Sequence, residues 1–271
     1  MTAVRVGAVE YLNARPLVHG LGAAGLFSVR FDVPSRCADL LAAHAIDVGL
    51  IPVAEYRADD YVVVPDVCIG SSGPVASVAV FSQKPIESVR SIALDTSSRT
   101  SAALVRVLCA ERWGIAPSFA PAAPDLPTML QGADAALLIG DPALETDPGQ
   151  YGVLKIDLGT EWRALTGLPF VWALWAGRES VMSADVCRAL QAARDRGREA
   201  IAMIAEDYAC GDSSRARRAV EYLRTNIGYD LDAAHIAGLE RFLSSAAAAG
   251  AIPRAGGLRL ARPAATAPVG G

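Results

Sequence analysis

The chain has 271 residues, 52% of them hydrophobic, enough to bury a sizeable core in one large or two medium domains. Its net charge of −4 and pI of about 5.4 leave no footprint for nucleic acid or a membrane surface, so an anion would have to be held by local donors. No apolar run approaches the ~18 residues of a membrane span. The opening residues pass into a strand pattern without a signal-peptide core, so the expected location is cytoplasmic.

In chain order, a first strand over 4–9 leads into Tyr11-Leu12-Asn13-Ala14-Arg15-Pro16, with Pro16 placed to open a helix. The pattern then predicts a helix over 17–26, a strand over 28–33, a helix over 36–44 and strands over 48–52, 61–68 and 75–82. After Pro85 the rhythm restarts: strand 91–94, helix 98–112, strand 118–120, helix 127–132, and strands 135–139, 153–158 and 168–176. One long amphipathic helix is expected over 183–209, then helices over 213–226 and 231–249, capped by Ser213 and by Asp230 or Asp232. This alternation predicts an α/β protein with mostly parallel sheets in two lobes and the ligand cleft between them. One lobe comprises residues 1–82 and 174–253, the other is inserted as residues 83–173, and 254–271 form a disordered tail.

Four segments carry candidate chemistry. The loop after the first strand, with Tyr11, Asn13 and Arg15, lies where open α/β sheets bind small ligands, and it suits a polar anion. Thr96-Ser97-Ser98-Arg99-Thr100-Ser101 joins a strand to a helix start, which can hold a carboxylate or phosphate or can simply cap the helix. Gly70-Ser71-Ser72-Gly73 permits close backbone approach to a ligand, or serves as a turn between strands. Gly140-Asp141-Pro142 sets a carboxylate just past a strand end, as a ligand partner or as a cap. Glu55 and Tyr56 face cleft or solvent, and Trp172 and Trp175 read as core or lobe-crossing aromatics before ligand platforms. Five scattered cysteines and three unclustered histidines have no metal-ligand spacing, and no dinucleotide fingerprint follows the first strand.

Together, Tyr11-Leu12-Asn13 with Arg15-Pro16-Leu17, Gly49-Leu50-Ile51-Pro52, Ser97–Ser101 and Ile139-Gly140-Asp141 resemble the futalosine-pathway chorismate dehydratases of menaquinone biosynthesis, over about residues 4–243. The resemblance implies a fold like the type 2 periplasmic binding proteins and a carbon–oxygen lyase (hydro-lyase). Its substrate is the dicarboxylate chorismate, its product 3-[(1-carboxyvinyl)oxy]benzoate, and it needs no metal or organic cofactor. Val53 departs from the family, where Ser often follows Ile-Pro. A sister family making 1,4-dihydroxy-6-naphthoate resembles the chain less, since its catalytic His stands where this chain has Gly140-Asp141. Under the family reading Asn13 is catalytic. Tyr11, Arg15, Ser71, Ser72, Gly73, Ser98, Arg99, Thr100, Ser101 and Asp141 bind substrate, with the serine groups taking its two carboxylates. Glu10 and Asp141 are available as bases, but a dianionic substrate repels them, so a substrate carboxylate is the preferred proton acceptor. The competing class is a non-catalytic small-anion binding or sensor protein. Oligomeric state is open.

Overall fold

Among the described residues, ten strands build two sheets, and both turn the same kind of edge toward one cleft. The computed structural model describes residues 3–22, 25–253 and 256–262. The first sheet draws on β1 (Val4–Val9), β2 (Phe27–Asp32), β3 (Val48–Pro52) and β4 (Val62–Ser71). The second holds β5 (Val78–Ser82), β6 (Ser91–Asp95), β7 (Ser118–Ala122), β8 (Ala135–Ile139) and β9 (Leu154–Asp157). β10 (Phe170–Gly177) then returns to the first. The orders are β2-β1-β3-β10-β4 and β7-β6-β8-β5-β9.

Each sheet is parallel except for one strand. β10 runs antiparallel between β3 and β4, and β5 antiparallel between β8 and β9. Both odd strands arrive just after the chain has crossed between lobes. This corrects the expected divisions at 82/83 and 173/174. Val78 already pairs with Ile139, and Phe170 already pairs with Ser71. The crossings are therefore at 72–77 and just before Phe170. Pro85, after which the strand rhythm restarts in the sequence, opens a short turn over Ile86–Ser88 within the second lobe. A proline loop is visible in a sequence, whereas the register that assigns a strand to its sheet depends on distant partners.

The helices are α1 (Arg15–Val18), α2 (Pro34–Ala42), α3 (Arg99–Leu108), α4 (Leu126–Gly132), α5 (Gly140–Glu145), α6 (Pro148–Tyr151), α7 (Leu158–Thr166), α8 (Ala184–Glu199), α9 (Ile201–Ala209), α10 (Ser213–Thr225) and α11 (Ala233–Ala248). The helix expected over 17–26 is one turn, α1, which ends as His19 extends and Gly20 takes φ +69°. The single helix expected over 183–209 breaks at Ala200. Gly197 lets α8 lie on Pro16, where an added Cβ would meet the Pro16 carbonyl oxygen, and α9 then bends to bury Ile201, Ile204, Ala205 and Tyr208. Both halves keep a helical apolar spacing, so periodicity alone does not show the bend. α5, α6 and α7 had no counterpart in the expected elements. Asp212, not Ser213, caps α10, accepting from the Ser214 and Arg215 amides, and Asp232 caps α11.

One apolar core runs through both lobes, from Val6 and Leu50 to Leu104, Leu137 and Trp175, and a smaller one around Phe81 and Met129 covers the far face of the second sheet. Trp162, Phe170 and Phe242 meet edge to face beneath the second crossing. Four cysteines are buried free thiols and Cys210 is exposed. Within the expected disordered tail, residues 256–262 are instead held along β4: the Val63 amide donates to Arg259 and the Ala261 amide to Val63. The remainder of that tail lies outside the described residues.

Candidate functional site in the interlobe cleft

The parallel strands of both sheets point their carboxyl ends into the cleft, where open α/β folds bind ligands. From the first lobe come the segment after β1, Pro34 after β2, Pro52 at the end of β3, and Ile69. The antiparallel β10 brings its amino end to the same edge, since Ala173 pairs with Pro52, and so delivers Trp172. From the second lobe come the start of α3 and the β8–α5 junction, with Val78 opposite Ile139.

These elements enclose a cavity of about 50 Å³ lined by Val9, Tyr11, Asn13, Pro34, Pro52, Ile69, Val78, Ser98, Ser101, Ile139, Gly140, Trp172 and Ala173. Ligand pockets ordinarily measure roughly 300–1,000 Å³. This cavity is smaller, and the two lobes meet directly around it. They are joined by direct bonds. The Leu12 amide donates to Asp141 Oδ1 at 3.0 Å, the Ala54 amide to Thr100 Oγ1 at 3.1 Å and the Ser35 amide to the Ser97 carbonyl at 3.1 Å. Arg99 reaches Asp39 at 2.8 Å and Glu55 at 3.1 Å.

Several expected site residues meet at the cavity: Tyr11, Asn13, Ser98 and Ser101. Ser98 caps α3 through the Ser101 amide, and the two hydroxyls lie 2.9 Å apart. Capping and facing the cleft thus coexist in one residue. The first-turn amides of α3 have no partner within the helix, and its dipole favours an anion there. Behind this turn is Asp95, buried at the end of β6. It accepts from the Ser97 amide at 2.8 Å, the Ser97 hydroxyl at 2.5 Å and the Ile139 amide at 3.3 Å. Burial raises its carboxyl above the usual range, and the Ser97 bonds oppose this. Tyr11 donates to Ser97 Oγ at 3.5 Å, and burial raises its phenol, which stays protonated at neutral pH.

Other expected residues are not brought to the cavity. Arg99 and Thr100 make the interlobe bonds above, and Arg15 lies over the Tyr208 ring. Ser71 belongs to β4, is buried and accepts from Trp172 Nε1 at 3.1 Å, so it props the cavity wall. Ser72 and Gly73 lie in the first crossing. An added Cβ on Gly159 would stand 2.3 Å from the Gly73 carbonyl, so this loop packs on the start of α7. The Gly-Ser run serves chain crossing and tight packing. Glu10 is exposed and outside the cavity, and Tyr56 is buried with its hydroxyl accepting from the Arg259 amide. Sequence reasoning missed Pro34, Val78 and the role of Trp172 as cavity wall. An apolar wall residue has no signature distinct from core.

Asp141 stands between the lobes. Burial raises its carboxyl, while the Leu12 amide and the nearby Arg15 pull it down. A carboxyl raised in the folded state destabilises that state as pH climbs from the ordinary carboxylate range near ~4 toward the raised value. Asp141→Asn lacks this loss. The melting temperature of the variant minus that of the unmodified protein should rise across that window and then level. A flat difference would show that Asp141 does not titrate there with a raised pKa.

The comparisons agree with this architecture. Protein AF1704 from Archaeoglobus fulgidus superposes with a TM-score of 0.68 at 19% identity, covering 93% of this chain and 99% of its own. A Candida albicans gene product, CA3427, described as exhibiting the generic periplasmic binding protein structural fold, gives 0.65 at 14% identity, covering 94% and 92%. These two show the fold alone. In sequence, the chain is 32% identical over 219 residues to a chorismate dehydratase of Thermus thermophilus, spanning 74% of this chain and 80% of that protein. A family model described as menaquinone biosynthesis matches residues 4–248. With the match running from β1 to the last turn of α11, the chain belongs to the menaquinone biosynthesis family.

Proposed function

We propose that this protein is a hydro-lyase that dehydrates chorismate to 3-[(1-carboxyvinyl)oxy]benzoate. The observation that carries the reading is the character of the cleft. The cleft has apolar and aromatic walls, with Ser98, Ser101 and the start of α3 lining it together with Asn13. This suits a flat carbocycle bearing a carboxylate and a reacting hydroxyl. The Thermus relative, named for this activity, supports it.

The reaction removes a ring proton and the neighbouring hydroxyl, and aromatisation of the ring drives it. The protein's part is then to position the substrate and to stabilise charge. Ser98, Ser101 and the α3 amides hold one substrate carboxylate. Trp172 and Tyr11 flank the ring. The Asn13 amide donates to the departing hydroxyl, making it a better leaving group. Among the described residues that line the cavity, none is an Asp, Glu or His. The proton acceptor in this mechanism is therefore a carboxylate of the substrate itself. The second carboxylate of the substrate serves as that base.

Incubation of chelator-treated, dialysed protein with chorismate, followed by ultraviolet absorbance and product chromatography, tests the assignment. The expected result is loss of chorismate with formation of the substituted benzoate. Unchanged chorismate, alongside a dehydratase that converts it, overturns the assignment. Tight binding without turnover would instead support an anion-binding protein.

A further inference from the structure

Asp95 is a buried carboxylate that the reaction above leaves without a task. It ends β6 and is 2% exposed. Among the described residues its hydrogen bonds come from two amides and a hydroxyl, and none from a cation. A carboxylate buried in this way is costly to keep, so it depends on each of those bonds. Its two oxygens serve different elements. Oδ1 accepts from the amide and the hydroxyl of Ser97, in the turn that opens α3. Oδ2 accepts from the amide of Ile139, at the end of β8. The paired register of β6 and β8 stops at Leu94 and Leu137, and beyond it the Asp95 side chain joins the two strand ends. One side of this junction carries Ser98 and Ser101, the other Ile139 and Gly140, and all four line the cleft cavity.

We infer that Asp95 is a positioning residue, which sets the turn at the start of α3 against the Ile139–Gly140 wall so that the turn can hold a substrate carboxylate. The inference rests on the role proposed above for Ser98, Ser101 and the α3 amides. An ionised carboxylate suits this brace, because both of its oxygens accept and both segments offer donors. An amide of the same shape has one oxygen and one NH2. It must set a donor against either Ser97 or Ile139, and so push one of them away. The brace also reaches the first lobe. Ser97 has one hydroxyl proton, and gives it to Asp95 at 2.5 Å. Toward Tyr11 its oxygen is therefore an acceptor, and the Tyr11 hydroxyl donates to it at 3.5 Å. Asp95 thus acts on the cavity from behind, through the turn that grips the substrate and through the tyrosine that flanks it.

The test uses the full chain with chorismate as substrate, and KM is the decisive quantity. A partly unfolded preparation has a lower apparent kcat, but its folded molecules keep their KM. Asp95→Asn should raise KM about tenfold or more, the equivalent of one hydrogen bond to a charged group, while kcat per folded molecule changes little. Ser97→Ala keeps the amide bond to Asp95 and loses the hydroxyl bond. It should raise KM in the same sense with less effect on folding, which keeps the inference testable if Asp95→Asn folds poorly. In a Ser101→Ala background the rise caused by Asp95→Asn should shrink, because part of what it positions is gone. A merely structural role would lower the melting temperature and apparent kcat and leave KM unchanged. Wild-type KM in both single variants, or an undiminished rise in the Ser101→Ala background, overturns the inference. Failure of the unmodified protein to consume chorismate overturns instead the reading on which it rests.

Discussion

Asn13→Asp should lower chorismate turnover by about 100-fold or more, the scale of removing one positioned donor from a reacting site. The substitution keeps the shape of the side chain and exchanges an N–H donor for a second acceptor and a negative charge. That charge faces a dianion in a cavity with no cation among its described lining residues. Folding should be little affected. Tyr229, between α10 and α11, donates to the Asn13 backbone carbonyl, which the substitution leaves unchanged. Steady-state kinetics and thermal melting on the same preparation separate the two effects. Near-normal turnover removes Asn13 from the mechanism. A variant that is inactive because it has unfolded assigns Asn13 to holding the first loop in place.

Gly140→Ala should be equally damaging by a steric route. Gly140 has φ +65°, a left-handed backbone that costs an alanine roughly 1–2 kcal/mol. An added Cβ would also stand 2.8 Å from three atoms of the Tyr11 ring. Tyr11 belongs to the first lobe and Gly140 to the second, so the methyl group acts as a wedge across the cleft. Turnover should fall on the order of 100-fold, the scale of displacing reacting groups by about an ångström. The melting temperature should drop by several degrees. Adding Tyr11→Ala removes the obstructing ring and should recover part of the melting temperature without recovering turnover. Wild-type turnover in Gly140→Ala would show that Tyr11 and Gly140 do not meet in the working conformation.

Much of the fold is legible because burial writes it into local pattern. The strands Val48–Pro52 and Ala135–Ile139 are unbroken apolar runs, buried at every position, and have the predicted bounds. The motifs at strand ends are legible for a related reason. In a parallel sheet the carboxyl ends share one edge, so Asn13, Ser98 and Gly140 can be grouped before any contact is known. What escapes is whatever depends on a distant partner. Ser71 looks like the start of a flexible glycine–serine loop, yet it closes a ten-residue strand and supports Trp172. Asp141 looks like a ligand partner or a cap, and its bond is to the Leu12 amide of the other lobe. Arg99 looks like an anion donor, but two carboxylates of the first lobe engage it. In each case the residue type suits a small ligand and a neighbouring segment equally well, and only the arrangement of the lobes decides.

The strand exchange bears on how the chain comes to be folded as it is made. β3 and β4 are not neighbours; β10, more than ninety residues further along, lies between them. A nascent chain that has emerged only as far as β4 therefore holds a split sheet, with two apolar strand edges open at its centre. Such edges invite pairing with other chains. The second lobe has the same kind of gap over a shorter stretch, since β8 lies between β6 and β5 and comes after both in the chain, but well before β10. On the ribosome the inserted lobe is thus the earlier of the two able to complete its sheet, and the amino-terminal lobe must wait for β10 to close the gap.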